Sequence, residues 1–134
     1  MTLPCPGSDP PRRPTQLRVM VPIRTVSVAN LREHWAKKAK RAKSERDAVA
    51  YVLRPRLRDE PLGAWVPGTV TITRIAPRRL DDDNAVRAQK SVRDEVAAQL
   101  GVDDRDPRVT WRVEQRRGRV REYAVEILIE SDAA

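Results

Sequence analysis

Thr69-Val-Thr-Ile-Thr-Arg-Ile75 is followed by Pro77-Arg-Arg-Leu-Asp-Asp-Asp83 and then by a run from Asn84 to Leu100 that closes on Gly101. The first piece is dense in β-branched residues, which suit a pleated, half-buried strand. The last places Ala85, Ala88, Val92 and Val96 at the spacing of a helix with one apolar face. Gly101 stands where a left-handed C-terminal cap is needed. A strand that turns through a short acidic link into a helix predicts an α/β fold.

Working outward, Asp103 to Pro107 read as a turn, and Val109 to Gln115 with Glu122 to Glu130 read as a hairpin around Arg117-Gly118. Upstream, Asn30 to Leu53 carries Leu31, Trp35, Ala39, Ala42, Val49 and Leu53 along one helical face, and Pro55 is expected to stop it. A loop containing Pro61, Gly63, Pro67 and Gly68 joins this helix to the strand at Thr69. Leu17, Val19 and Val21 alternate with Arg18 and Met20 in a first strand ending near Pro22 to Ile23. The order β-α-β-α-β-β implies a small mixed sheet of about four strands with two main helices packed on it. Residues 1–15 hold five of the eleven prolines and no apolar periodicity, and read as a disordered tail ahead of one domain over 16–134.

Bulk composition narrows the function. With 134 residues there is one domain's worth of chain, and 27 basic against 19 acidic residues leave a charge of +8. Such a surplus points to nucleic acid or an anionic surface. No apolar run approaches the roughly 20 residues that span a bilayer, and no leader is visible, so a cytoplasmic protein without a membrane partner is expected. Cys5 and His34 are each the single residue of their kind, which excludes an internal disulfide and a Cys/His zinc site. Phe is absent, so the core rests on Val, Leu, Ile and Ala.

In so basic a chain the carboxylates Asp81, Asp82 and Asp83, with Asp103 and Asp104 twenty residues on, call for a reason. One reason is local: acids before a helix cap its first amides, and Asp103 and Asp104 are ordinary turn residues. Another is chemical. In an extended segment Asp81 and Asp83 point to one side, and magnesium takes a few carboxylate oxygens while keeping several waters. Asp104 would complete such a site, where metal ions activate water and steady a phosphodiester displacement. Asp83, Arg87, Lys90 and Asp94 fall on one stripe of the following helix. That stripe is either a cation set beside the acids or a solvated face of i,i+4 pairs, Asp83 with Arg87 and Lys90 with Asp94.

These residues resemble the RusA-type Holliday-junction resolvases and their phage relatives. The matching pieces are Asp81-Asp82-Asp83-Asn84, then Lys90-Ser91-Val92-Arg93-Asp94, then Asp103-Asp104, together with Val28-Ala29-Asn30-Leu31-Arg32 after the first strand. The resemblance covers about Leu17 to Glu130. It implies an α/β homodimer, in a bacterial or phage-infected cell, that binds four-way DNA junctions and cuts them with magnesium, or manganese in its place, and no small-molecule cofactor. Metal-binding aspartates carry over to Asp81, Asp83 and Asp104, and a catalytic lysine to Lys90, with Asn84, Asp94 and Asp103 in support. Two departures stand out. The best-known members place the lysine four residues after the second aspartate, where this chain has Arg87. The residue directly before the first aspartate is Leu80, with Arg78 and Arg79 displaced upstream.

The remaining cations suit phosphate contacts: Arg78, Arg79, Arg87, Arg32, Lys37, Lys38 and Arg41, with Asn30 either a DNA contact or a helix cap. Lys37 to Lys43 read equally as a solvated helix face. Few aromatics argue against base stacking as the main mode. Two rival functions remain at this stage: a non-catalytic nucleic-acid binder, and a nuclease with the same site acting on flaps or forks.

Overall fold

The computed structural model describes residues 16–26, 35–59 and 68–131. The proline-rich tail, Asn30, Arg32, His34 and the loop around Pro61 to Pro67 lie outside them. Strand β1 (Gln16–Val21) is followed by helix α1 (Trp35–Asp59), strand β2 (Thr69–Ala76), helices α2 (Asp82–Ala88) and α3 (Lys90–Leu100), and strands β3 (Thr110–Arg117) and β4 (Ala124–Glu130). The strands form one mixed sheet in the order β1-β4-β2-β3. This is the small α/β fold with four strands that the pattern implies, with three helices where two were expected.

Register explains the core. Leu17, Val19 and Val21 stand opposite Ile129, Ile127 and Val125, and Val70 and Ile72 pair on the other side of the same β4 residues. All these side chains are buried, as are Val49 and Leu53 of α1 and Val92 and Val96 of α3, so both helices cover one face of the sheet. On the opposite face Glu126 stands 3.9 Å from Arg18 and 3.8 Å from Arg116. Among the described residues no helix is long and apolar enough to cross a membrane.

Three expectations need correction. The last two strands do not form a hairpin: β2 lies between them, parallel to β3 and antiparallel to β4. Sheet chemistry accounts for this, because β4 has Val125, Ile127 and Ile129 fully buried and takes a central place. By contrast, β3 alternates half-buried and exposed residues and tolerates the edge. Its connection crosses the end of β2, where the Gly118 N–H donates to the Ala76 carbonyl at 2.9 Å. A Cβ at Gly118 would meet the Glu122 Oε1 at 2.9 Å, which can swing aside, and the Glu122 carbonyl and Ile75 methyl at 3.1 Å, so the crossing is tight.

Pro55 does not stop the first helix, which runs on to Asp59. Proline removes the bond to the carbonyl of Tyr51, but Tyr51 is 83% exposed, so that carbonyl lies on the solvent side where water can replace the lost donor. Continuing keeps Leu57 against the core. The buried stripe also differs at the start: Trp35 is 75% exposed, and Glu45 is buried with Val49 and Leu53.

The run after the acidic link is two helices rather than one. It begins at Asp82 instead of about Asn84 and breaks at Gln89. Gln89 is fully buried, and its Nε2 donates to the Thr25 Oγ1 at 2.7 Å. That tertiary bond, together with the non-helical φ −96, ψ 6 at Gln89, separates Arg87 at the end of α2 from Lys90 at the start of α3.

Candidate functional site

Chain leaving β2 is fixed before it reaches the acids. The Leu80 N–H donates to Gln115 Oε1 at 2.9 Å, and Gln115 Nε2 donates to the Leu80 carbonyl at 2.8 Å. Asp81 follows in extended conformation at φ −61, ψ 152, and its carbonyl accepts the first helical bond, from Ala85 N at 2.8 Å. Carboxyl ends of strands are where open α/β sheets bind their ligands.

At this corner the Asp81 side chain makes no capping bond, so local capping does not account for it. Asp82 meets Arg79 at 3.4 Å. Asp81 and Asp83 are exposed, and neither carboxylate has a hydrogen bond or ion pair to a described residue. The extended geometry that would align Asp81 with Asp83 ends at Asp81, because Asp82 and Asp83 already belong to the first turn of α2.

Asp104 arrives from the turn after α3, half-buried, with its carbonyl accepting Arg93 Nη2 at 2.9 Å. Arg93 in turn lies over the Trp111 ring, 5.0 Å from its centre, which ties the turn to the edge strand. Asp103 accepts the Arg105 N–H at 2.9 Å, a turn-stabilising bond that, with the adjoining Asp104 carboxyl, holds its own carboxyl below the usual range. Among the described residues no three His, Cys, Asp or Glu side chains gather to hold a metal ion. Asp81 and Asp83 share the start of α2, and Asp104 stands apart on the later turn.

Cations are brought together more fully. Lys38 and Arg41 of α1 face Arg87, Lys90 and Asp94 across a cleft of ≈ 330 Å³. Neither expected i,i+4 pair, Asp83–Arg87 or Lys90–Asp94, is formed, so Asp83, Arg87, Lys90 and Asp94 have no ion pair among the described residues. Lys37 is exposed and does not line this cleft, and Asn84 is half-buried. At the end of the sheet a second cleft, ≈ 350 Å³, is lined by Arg74, Arg78, Arg79, Arg116 and Arg117. A third, ≈ 470 Å³, adds Arg24 and Tyr123 and shares Arg74 and Arg78 with the second and Val26 with the first. The second and third clefts thus adjoin beside Leu80, next to the corner that carries Asp81, and the first meets the third at Val26.

Several of these residues were not singled out by sequence. Glu45 lines the first cleft, buried, accepting a hydrogen bond from Ser91 Oγ. Burial pushes its carboxyl above the usual range, against the pull of Ser91 and Arg41. Beside it Arg46 meets Glu95 at 3.1 Å, and Gln99 Nε2 donates to the other Glu95 oxygen at 2.6 Å, so α1 and α3 are latched along this wall. Glu45 interrupts an apolar stripe, a visible signal; its Ser91 partner, 46 residues away, is not.

No family model matches the chain, and no curated protein matches it.

Proposed function

We propose that this chain is a magnesium-dependent endonuclease that acts on branched DNA, four-way junctions foremost, as a homodimer in the cytoplasm. The observation that carries the reading is the set of cation-rich clefts, in which Arg24, Arg74, Arg78, Arg87 and Lys90 have no ion pair among the described residues, beside the free carboxylates of Asp81 and Asp83 at the carboxyl end of β2. Cation-lined clefts alone argue for phosphate backbone. Exposed acids without partners beside such clefts repel DNA unless a cation bridges them, and a bound metal ion would bridge them.

The donor set suits magnesium in kind. That ion is bound by one or two carboxylates, with water and substrate phosphate filling the remaining positions, and needs no closed protein cage. Asp81 and Asp83 would hold it, and Asp104, on the separate turn after α3, is the third carboxylate that the resemblance adds. The chemistry such an ion supplies when bound is polarisation of a phosphate oxygen and activation of water. The chain's own part is positional and electrostatic. Gln115 fixes the link before Asp81, Lys38 and Arg41 meet backbone phosphates, and Arg87 and Lys90 place positive charge near the phosphate that reacts.

The test is incubation with synthetic four-way, forked and linear duplex DNA, with and without magnesium. Metal-dependent, paired cutting of the four-way substrate is expected. A second reading, a non-catalytic DNA binder, is favoured by the lack of a three-carboxylate group among the described residues. Tight, salt-sensitive binding with no cleavage in any metal would establish it in place of the first. Cleavage confined to forks would keep the site and change the substrate.

A further inference from the structure

Arg74 occupies a place in the fold that ordinarily holds an apolar side chain. It continues the inward face of β2 after the fully buried Val70 and Ile72, and register sets it between Val125 of β4 and Gln115 of β3. It is 7% exposed. Nε donates to the Thr25 carbonyl at 3.3 Å, and Nη1 donates to the Arg78 carbonyl at 2.8 Å. Both acceptors are neutral, and among the described residues no carboxylate pairs with Arg74. Buried charges are ordinarily paired, because removal from water is costly otherwise.

Its surroundings increase the positive charge. Arg24 and Arg78 line the same cleft, also without ion pairs, and Arg24 is steadied over the Tyr123 ring at 4.5 Å. Burial pulls the Arg74 guanidinium below its usual range, and the like charge of Arg24 pulls the same way. An anion in this cleft relieves both. Leu80, the residue before Asp81, forms another part of the wall, so the cleft adjoins the acidic corner.

We infer that Arg24, Arg74 and Arg78 form one phosphate pocket, which takes a phosphodiester group of bound nucleic acid neighbouring the one held at Asp81. Arg74 is the floor, oriented by the two carbonyls, and the exposed Arg24 and Arg78 close over the anion. The inference rests on the nucleic-acid reading given above for its ligand, but not on cleavage.

The experiment measures junction binding by the full chain in EDTA over a salt series, for wild type, Arg24→Ala, Arg78→Ala and the double variant. Among the described residues Arg78 makes no side-chain hydrogen bond or ion pair, and Arg24 only stacks on the Tyr123 ring, so both variants are expected to fold. If three arginines share one phosphate, the slope of log K against log salt flattens by about one counterion in the double variant. Its affinity loss should also fall well short of the product of the single losses. Unchanged slopes, or two independent losses of about one each, overturn the pocket. Arg74→Lys separates a strut from a ligand: a strut lowers the melting temperature and leaves the slope unchanged, which also counts against the inference. A second arm uses inorganic pyrophosphate as probe at low salt. Thermal protection of wild type that is lost in Arg24→Ala is expected, and equal protection of both overturns the pocket. Should wild type not bind DNA at all, the nucleic-acid reading falls. The pocket then stands or falls on pyrophosphate, as a site for free phosphate compounds.

Discussion

Gln115 holds Leu80 by both backbone groups, accepting from its N–H at 2.9 Å and donating to its carbonyl at 2.8 Å. A side-chain amide here copies a rung of sheet pairing beyond the end of β2. The acidic corner is thereby attached to the edge strand β3 rather than left as a free loop.

Gln115→Ala should therefore leave two half-buried backbone groups short of partners and cost about 1–3 kcal/mol in denaturant unfolding. Cleavage at saturating protein should fall more than junction affinity does, because Asp81 loses its support. Wild-type stability in this variant would show that water replaces the amide without cost.

Asp81→Asn and Asp83→Asn should each abolish magnesium- or manganese-dependent cutting. Removing a negative charge beside phosphate also removes repulsion, so junction binding in EDTA should survive or tighten. Asp104→Asn is the informative third variant. Abolished cutting places Asp104 with the metal despite its position on a separate turn, whereas full cutting restricts the site to the start of α2.

Glu45 gives a prediction about pH. Its carboxyl is raised from the ordinary 4.5 chiefly by burial, with Ser91, Arg41, Arg46, Lys90, Arg87 and Asp94 around the same cleft. A raised folded value means that the folded state binds the proton more tightly. Stability from neutral Glu45 is then present at low pH and is lost as pH climbs from the ordinary value through the raised one. Glu45→Gln keeps the acceptor for Ser91 and cannot ionise. It should flatten that part of the stability–pH curve and be the more stable protein at pH 7. A steeper curve in the variant would mean the surrounding cations, not burial, govern this group.

Much of the fold was readable because burial leaves a period in the chain. Leu17, Val19 and Val21 alternate as a strand must, and Val92 and Val96 follow the helical spacing toward the same core. Strand order left no such trace: a short polar link after Arg117 reads as a hairpin turn whether or not another strand intervenes. Gln89 sits mid-pattern as a good helix former, and only its bond to Thr25, 64 residues back, breaks the helix. Asp81 was legible because acids are out of place in a basic chain. Arg74 was missed although its parity with Val70 and Ile72 was visible, since an arginine in a strand reads as an outward residue until its neighbours are known.

If the proposed cleavage holds, the break at Gln89 sets apart the two candidate cations for its chemistry. On one continuous helix Arg87 and Lys90 would be interchangeable neighbours, but here Arg87 ends α2 and Lys90 begins α3, and both still line the cleft with Asp94. A compact ammonium approaches a reacting phosphate as a point charge, whereas a planar guanidinium clamps phosphate oxygens. Lys90→Ala should accordingly lower single-turnover cleavage by about two to four orders of magnitude, the scale of one lost transition-state contact. Arg87→Ala should weaken junction binding and reduce its salt slope by about one, as loss of a phosphate contact does. Saturating protein separates the two effects, since binding losses vanish there and chemical losses persist. A rate defect at saturation in Arg87→Ala, with Lys90→Ala unaffected, would assign the catalytic charge to α2, four residues after Asp83.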